Sequence, residues 1–299
     1  MTHQSASHVV REFLEGPLTR PALLLWRRQQ FLSREGHGFY FGLFDSFEAA
    51  RDWLPKNPEF DQDALAEEYV NIRTKKIFAY DYPVMWWLDR AFRAGATRIL
   101  DIGGSVGVHY YAYRRYLDMP ASLTWRIVEV PAMASIGRKL ASDTGSSALD
   151  FTEDLQRAVT EGTADVWISA GAIHYFEHAT PGLLLKDCKT RPQHLLLNKL
   201  PLHEGESFIT TQNIGAGSFA PMHVYNRGRF IRDIEAMGYT LRDEWPVHER
   251  SLYLPGYPER SFPSFTGSTS RIGPSRGLPT SADVFEGARP VSRGDRQRR

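Results

Sequence analysis

Residues 98–111 read RILDIGGSVGVHYY, and this stretch decides the fold. The run RILDI is short and does not alternate polar with apolar residues, which predicts a strand buried on both faces, as in a parallel sheet. Asp101 lies near its end, and a glycine-rich turn and a helical pattern follow. Because ligands bind at the carboxyl ends of the strands in open α/β sheets, this turn is the first candidate for a binding site.

Other short apolar runs likewise lack polar alternation, and helical stretches lie between them. Together they predict a Rossmann-like α/β domain over residues 97–254, with a mostly parallel sheet covered on both faces. At its end, residues 239–245 and 248–254 predict a hairpin at the sheet edge. The further strands are predicted at 124–130 (TWRIVEV), 165–169 (DVWIS) and 194–199 (HLLLNK), and the helices at 108–117, 132–143, 152–160, 181–189 and 226–237.

The regions on either side differ in composition. Residues 1–96 show helical apolar spacing with breaks at prolines, which predicts a helical N-terminal cap region. Of the 45 residues from 255 to 299, 19 are Pro, Gly or Ser, and 8 Arg stand against 4 acidic residues. Such a segment has too few apolar residues to offset the entropy of ordering, which predicts a disordered basic tail.

The bulk composition excludes several classes of protein. The 299 residues carry a net charge of +1, and no basic stripe with interleaved aromatics predicts nucleic-acid binding in the folded part. The single cysteine, Cys188, excludes an intramolecular disulfide and favours a reducing compartment. No secretory signal is recognisable and no apolar run near the N-terminus spans a bilayer, so we expect a cytoplasmic protein without a membrane span. The oligomeric state is not predicted.

The glycine spacing bears on the identity of the ligand. A dinucleotide fingerprint reads G-x-G-x-x-G, whereas here the position two after Gly103 is Ser105. The pattern fits D-x-G-x-x-x-G better, with Asp101 ahead of the loop. Glu129 ends the next strand, where an acid can accept both hydroxyls of a ribose. A nicotinamide-dependent oxidoreductase is therefore the less favoured alternative, and a turn that binds nothing is a further one.

These features resemble the Rossmann-like, class I S-adenosylmethionine-dependent methyltransferases. The chain is also similar, over residues 37–254, to an uncharacterised set of bacterial methyltransferases that is often associated with surface-polysaccharide genes. The similarity lies in FGLFDSFEAARDWL, LDIGGSVG, WRIVEV, ADVWISAGAIHYFEH, TTQN and YNRGRFIRDIEAMGY. It departs from that set at Ser105, where a glycine is commoner, and in the basic tail.

The resemblance implies S-adenosyl-L-methionine as cofactor and a seven-stranded sheet whose last strand is antiparallel. It places the ribose on Glu129, with Asp150 and Phe151 flanking the adenine. The residues expected around the methionine part and the sulfonium are Asp101, Gly103, Gly104, Ser105, Gly107 and Ser169.

The stretch ADVWISAGAIHYFEH (residues 164–178) predicts the acceptor site. It places residues 169–175 beside the sulfonium, and His174 is the candidate general base because its ordinary pKa of about 6.5 suits proton transfer near neutral pH. A histidine that only packs is the alternative. The spelling H-x-x-E-H also occurs in zinc peptidases, but it follows a strand and a loop here, so we predict no metal site.

The sequence thus predicts a methyltransferase that acts on a hydroxyl, and in second place an amine, of a small molecule or sugar. A non-catalytic binding module of the same fold is the main alternative. Further polar residues at strand ends are candidates to hold the acceptor, and four aromatics of the front region are candidates to close the site: Asn198, Lys199, Gln212, Asn213 and His223, and Tyr80, Tyr82, Trp86 and Trp87.

Overall fold

Helices and strands alternate along most of the chain. The computed structural model describes residues 19–273. The helices are α1 (Arg20–Leu32), α2 (Phe47–Trp53), α3 (Asp63–Asn71), α4 (Asp81–Arg93), α5 (Val108–Tyr113), α6 (Pro131–Asp143), α7 (Leu155–Thr160), α8 (Pro181–Asp187) and α9 (Arg227–Glu235). The strands are β1 (Tyr40–Phe44), β2 (Arg98–Ile102), β3 (Thr124–Val128), β4 (Leu149–Thr152), β5 (Val166–Ala170), β6 (His194–Leu200), β7 (Leu202–His203), β8 (Phe208–Gly215), β9 (Ser218–Asn226), β10 (Tyr239–Val247) and β11 (Phe265–Ile272).

Seven strands form the main sheet in the order β10-β11-β6-β5-β2-β3-β4. The five strands from β6 to β4 are parallel, and β11 is antiparallel to both β6 and β10. The predicted α/β fold, with seven mostly parallel strands and an antiparallel last strand, is confirmed. The chain runs outward from β2 to β4 and then returns to β5 on the other side, so the switch point that binds ligands in such sheets lies between β2 and β5.

The sheet is buried on both faces, as the apolar runs predict. In β2, Ile99 packs in a cluster with Leu88 of α4, whereas the next residue, Leu100, packs in a cluster with Leu184 and Leu185 of α8. Successive side chains of a strand point to opposite faces, so both faces need apolar residues here. Among the helices of residues 19–273, none combines the length and the apolar character needed to cross a membrane.

The last strand differs from the prediction. The sequence predicts a hairpin of residues 239–245 and 248–254 and a disordered tail from Pro255, whereas β10 pairs with β11, which lies within that predicted tail. The stretch TGSTS in β11 has no apolar pattern, yet all of its residues except the partly buried Thr266 are buried between β6 and β10. A Cβ at Gly267 would lie 2.1 Å from the Trp245 ring, so the small residue admits that ring. The remainder of the predicted tail, residues 274–299, lies outside the described residues.

We predict that a chain ending at Leu254 does not fold stably, because β6 and β10 lose the strand between them and Trp245 loses its cover. A chain ending at Gly273 keeps β11 and is the matched control. Thermal unfolding followed by circular dichroism measures the difference. A cooperative transition of the shorter chain within about 2 °C of the control, which corresponds to roughly 1 kcal/mol or less, would contradict this role of β11.

A second sheet joins distant parts of the chain in the order β1-β8-β9-β7. Its strand β1 lies in the region that was expected to be a helical cap, so that region is not helical throughout. The stretch TTQN fixes β1 in place, since Thr210 Oγ1 donates to the carbonyl oxygen of Gly42 at 2.7 Å and Thr211 Oγ1 donates to that of Phe41 at 2.6 Å. This pairing brings β1 to the carboxyl edge of the main sheet.

Candidate active site

A cavity of about 340 Å³ lies at the carboxyl ends of β2, β3, β5 and β6. The loop after β2, Glu129 after β3 and the loop of residues 170–176 after β5 line it, and the N-terminal region contributes Phe60, Tyr69 and Tyr80. Pockets of ~300–1,000 Å³ are typical of small-molecule sites. The cavity lies at the switch point, where the sequence places the ligand.

The glycine loop (residues 103–107) has a backbone that most side chains do not tolerate. Gly103, Ser105 and Gly107 have φ values of +74°, +54° and +97°. A Cβ on Gly103 would lie 2.0 Å from the Cβ of Ala172, so the loops after β2 and β5 approach closely only because residue 103 is glycine. Ser105, a non-glycine residue in the left-handed region, is held by its N–H, which donates to Glu129. Gly103, Gly104 and Ser105 line the cavity, whereas Gly107 is the N-cap residue of α5 and does not line it.

Asp101 lies beneath the glycine loop and is fully buried. Its Oδ2 accepts a hydrogen bond from Trp125 Nε1 at 3.1 Å and lies 2.8 Å from His109 Nδ1, whereas its Oδ1 has no partner among the described residues. A Cβ on Gly104 would lie 2.5 Å from the carboxylate. Asp101 does not line the cavity and instead supports the glycine loop from below. His109, which contacts Asp101, does line the cavity.

The carboxylate of Glu129 lines the cavity beside the glycine loop. Its Oε1 accepts from the N–H of Ser105 at 2.8 Å, and its Oε2 accepts from the N–H of Val130 at 3.0 Å. Burial raises the pKa of Glu129 to about 7, although both backbone donors lower it. Each carboxylate oxygen can accept a second hydrogen bond, so the group retains capacity for two further donors.

Besides Asp101 and Gly107, three further sequence-predicted cofactor residues do not line the cavity. Asp150 is exposed and pairs with Arg126 at 2.6 Å, because both side chains lie on the outer face near the sheet edge. The ring of Phe151 packs against Gly137 of α6. Ser169 is buried and its Oγ donates to the carbonyl oxygen of Ile102 at 3.0 Å, which ties β5 to β2. An apolar cluster that includes Leu65 and Met133, with Phe60 and Val130 packed on it, lines the cavity beside Glu129 instead.

His174 lies in the short 3-10 turn Ile173–Tyr175, on the side of the cavity formed by the loop after β5. It is 2% exposed, and its Nδ1 has no hydrogen-bond partner among the described residues. Burial lowers the pKa of His174 to about 3, with further lowering by the charges of Lys199, His223 and Arg250. The ring is therefore neutral at pH 7 and able to accept a proton, but its protonated form is disfavoured in this environment.

The H-x-x-E-H stretch does not assemble a metal site. Glu177 pairs with Arg51 at 2.8 Å, and the side chain of His178 is 89% exposed, so neither joins His174. Across residues 19–273 no group of three or more histidine, cysteine or acidic residues is arranged to hold a metal ion.

Two of the polar strand-end residues named from the sequence line the cavity, Lys199 and Gln212, and three do not. Asn198 is fully buried and bonds to the carbonyl oxygen of Tyr80 at 2.9 Å, Asn213 bonds to that of Phe31 at 2.6 Å, and His223 Nε2 lies 3.0 Å from that of Glu177. Of the front aromatics, Tyr80 lines the cavity, while Tyr82 and Trp86 are exposed and Trp87 bonds to Asp243.

Sequence reasoning missed a set of cations that line the cavity: Arg73, Lys76 and Arg250, which join Lys199. Lys199 has a positive φ of 54°, and burial lowers the pKa of Lys199 to about 8. Its Nζ lies 5.2 Å from the centre of the Tyr80 ring. Arg250 follows β10, in the stretch predicted as a strand, so no feature of the sequence pointed to a site role. Within residues 19–273, none of the four cations forms an ion pair with a carboxylate.

Known structures provide a comparison for the fold. The chain is similar to an O-methyltransferase family protein from Burkholderia thailandensis, with 14% identity, a TM-score of 0.45 and coverage of 71% of this chain and 60% of that one. It is similar to the mitomycin 7-O-methyltransferase MmcR, with 16% identity, a TM-score of 0.41 and coverage of 64% and 54%. A third similar structure is the 1,6-didemethyltoxoflavin-N1-methyltransferase of Burkholderia thailandensis, with 15% identity, a TM-score of 0.41 and coverage of 73% and 92%.

The chain thus spans less than two thirds of the length of the first two proteins. No protein-family model matches the sequence, and no curated protein matches it.

Proposed function

We propose that the protein is an S-adenosylmethionine-dependent methyltransferase that acts on a hydroxyl, and in second place an amine, of a small molecule or sugar. The observation that carries this proposal is a single cavity, lined by the glycine loop and Glu129 and also by His174, whose Nδ1 has no partner. A nucleoside site and a proton acceptor thus share one enclosed space. The resemblance described from the sequence predicts the same arrangement, with the glycine loop, Glu129 and His174 around one cavity.

The residues of the cavity fit the cofactor. Glu129 retains acceptor capacity for two ribose hydroxyls, and the missing Cβ at Gly103 and Gly104 leaves backbone close to the cavity. With Asp150 and Phe151 turned away, the adenine is assigned to the apolar cluster of Phe60, Leu65 and Met133. When bound, S-adenosylmethionine supplies an electrophilic methyl group on a sulfonium, which an acceptor atom attacks in line.

The chain's own contribution is positioning and proton transfer. The loops after β2 and β5 meet at Gly103 and Ala172, so a donor held on the first loop lies close to an acceptor held on the second. Holding reacting atoms about 3–3.5 Å apart and in line supplies much of the acceleration in such reactions. His174 takes the proton of the acceptor hydroxyl, and the cover formed by the N-terminal region excludes water.

Calorimetric titration with S-adenosylhomocysteine tests cofactor binding. We expect the wild type to bind, and we expect Glu129→Ala to weaken binding about 10- to 100-fold, because two charge-assisted hydrogen bonds to the ribose are lost. Asp150→Ala is expected to bind like the wild type because its side chain lies outside the cavity. Glu161→Ala, which removes an exposed carboxylate of an i, i+4 pair, is the control. Absence of binding by the wild type at millimolar ligand would refute the proposed function.

The affinity for S-adenosylhomocysteine should depend on pH through Glu129. Only the ionised carboxylate accepts both hydroxyls, and burial raises the pKa of Glu129 to about 7. As pH falls below 7 the protonated form dominates, so we expect the dissociation constant to rise by up to about tenfold per pH unit. Titrations between pH 5.5 and 8.5 on the wild type and Glu129→Gln measure this, and the variant should give a flat profile. An equally steep profile in Glu129→Gln would assign the effect to another group.

A further inference from the structure

Two cations line the cavity together with His174. Lys199 ends β6 and Arg250 follows β10, and the charge of each acts on the His174 ring. The backbone fixes Arg250, since its carbonyl oxygen accepts from the N–H of Phe265 at 2.7 Å, and the Phe265 ring lies 6.4 Å from that of His174. We call Lys199 and Arg250 the cation pair.

The charge of Arg250 affects more ionisable groups of the cavity than one segment of the chain contributes. Its charge acts on ionisable groups that reach the cavity from separate segments: Tyr40, Tyr69, Tyr80, His174, Tyr175 and Lys199. Among the described residues its side chain has no ion pair and no hydrogen bond, although the residue is half-buried. Asp81 is the carboxylate whose charge acts most on Lys199. It accepts hydrogen bonds from the hydroxyl of Tyr113 at 3.0 Å and from the N–H of Phe78 at 2.9 Å, and it forms no ion pair with Lys199.

Cations without an ion pair are costly in a partly enclosed cavity, because burial removes water from the charge and Asp81, the carboxylate whose charge acts on Lys199, does not form an ion pair with it. Burial already lowers the pKa of Lys199 to about 8, which reflects this cost. The cofactor adds one net positive charge to the cavity, since it brings a sulfonium and an ammonium against one carboxylate. A negatively charged acceptor would offset both.

The second pair of cations has a separate assignment. The turn Arg73–Lys75 packs against α5, which follows the glycine loop, and Arg73 Nη1 donates to the Tyr80 hydroxyl at 3.4 Å. We assign Arg73 to the carboxylate of the methionine part because of this position next to α5. The cation pair is assigned to the acceptor, since Lys199 Cε lies 3.0 Å from the Cβ position of Gly171, in the loop after β5 that also carries His174.

We propose that the methyl acceptor is an anion, which carries a carboxylate or phosphate group bound by Arg250 and Lys199 and presents a neighbouring hydroxyl to His174. This inference rests on the proposed function, since it names the acceptor class of the same site. Arg250 supplies a planar guanidinium suited to two parallel hydrogen bonds with such a group, and Lys199 supplies a point charge.

An anionic acceptor would also raise the pKa of His174 and so make it a stronger base. The charges that lower the pKa of His174, besides burial, are those of Lys199, His223 and Arg250. An anion on the cation pair offsets two of these three, so the imidazolium that forms on proton transfer becomes less unfavourable. The proton moves from the acceptor hydroxyl to His174, the oxygen bonds to the methyl carbon, and the carbon–sulfur bond electrons stay on sulfur.

Binding of matched pairs of ligands tests the inference by calorimetry on the full chain, with and without saturating S-adenosylhomocysteine. The carboxylate arm compares glucuronate with glucose and 4-hydroxybenzoate with 4-hydroxybenzamide, and the phosphate arm compares glucose 6-phosphate with glucose. We expect at least one anion to bind about tenfold or more tightly than its neutral partner. The arm that shows the preference identifies the anionic group.

Variants of the cation pair decide whether the preference arises at this site. Arg250→Met and Lys199→Met are each expected to reduce it at least tenfold while S-adenosylhomocysteine affinity stays within about twofold, and Arg250→Lys should retain part of it. Arg93→Met removes an exposed arginine of an i, i+4 pair and is the control. Circular dichroism checks folding, and if Arg250→Met does not fold, Arg250→Lys and Lys199→Met carry the test.

Three outcomes would each overturn the inference. Anions and their neutral partners could bind equally, no anion could bind, or the preference for the anion could survive in the variants. Failure of S-adenosylhomocysteine to bind would refute the proposed function instead, and the titrations without it still report on the anion site.

Discussion

Replacing His174 with glutamine should lower the rate of methyl transfer by about 10²–10⁴, the usual contribution of a positioned general base. Glutamine keeps a polar group of similar reach but takes up no proton at neutral pH. The affinity for S-adenosylhomocysteine should change by less than about twofold, because His174 lies on the acceptor's side of the cavity. Transfer of a radiolabelled methyl group to the best-binding ligand of the matched pairs measures the rate.

Two further measurements separate a base from a residue that only packs. A variant that merely loosens the site should lower the thermal stability and the acceptor affinity together, whereas loss of the base lowers the rate at saturating acceptor. In His174→Gln the residual rate should rise with pH, because hydroxide and the ionised acceptor replace the missing base. A rate within about fivefold of the wild type would show that another group, with neutral Lys199 as the first candidate, removes the proton.

Replacing Gly103 with alanine should abolish cofactor binding and destabilise the fold. The new Cβ would lie 2.0 Å from the Cβ of Ala172 and the backbone would keep a φ of +74°, so both steric overlap and backbone strain oppose it. Overpacking of this kind costs about 1–3 kcal/mol and the positive φ about 1 kcal/mol more. We expect the affinity for S-adenosylhomocysteine to fall at least 100-fold because the loops after β2 and β5 move apart.

Gly145→Ala is the matched control, since Gly145 has a φ of +62° but no atom within 4 Å of its Cβ position. It should show the backbone cost alone and leave cofactor affinity unchanged. Ala172→Gly should restore part of the stability and affinity of Gly103→Ala, so thermal unfolding and calorimetry on the four combinations form a double-mutant cycle. If the two substitutions are additive, the close approach of these loops does not determine cofactor binding.

Four parallel strands of the main sheet, β2, β3, β5 and β6, could be predicted from the sequence because they are short runs rich in apolar residues. RILDI and HLLLN are buried on both faces, whereas TWRIV is exposed at Thr124 and Arg126. Strand β11 could not be predicted in this way. Its residues are small and polar, and they become a buried strand only because two neighbours already stand on either side, which no local pattern reveals.

Residues that line the candidate cavity could be named from the sequence where they follow a strand directly, and were missed where they come from distant segments. Gly103 to Ser105, Glu129 and His174 lie at or shortly after strand ends, and all of them line the cavity. Asp150 also stands on a strand, but the exposed edge position and the nearby Arg126 turn it to solvent. Phe60, Arg73 and Arg250 line the cavity through folding of the N-terminal region and the chain after β10, and their sequence contexts resemble ordinary loops.

The pairing of β1 with β8 has a consequence for biosynthesis. Tyr40 stands opposite Gln212 in that ladder, so the partner of β1 is made long after β1 itself has left the ribosome. During this interval the aromatic segment YFGLF has no sheet to join and remains exposed to aggregation. Closing so large a loop is entropically costly and favours slow folding. Strand β1 can therefore take its place at the cavity only after residue 215 has emerged, and chaperone occupancy should concentrate on β1 before that point.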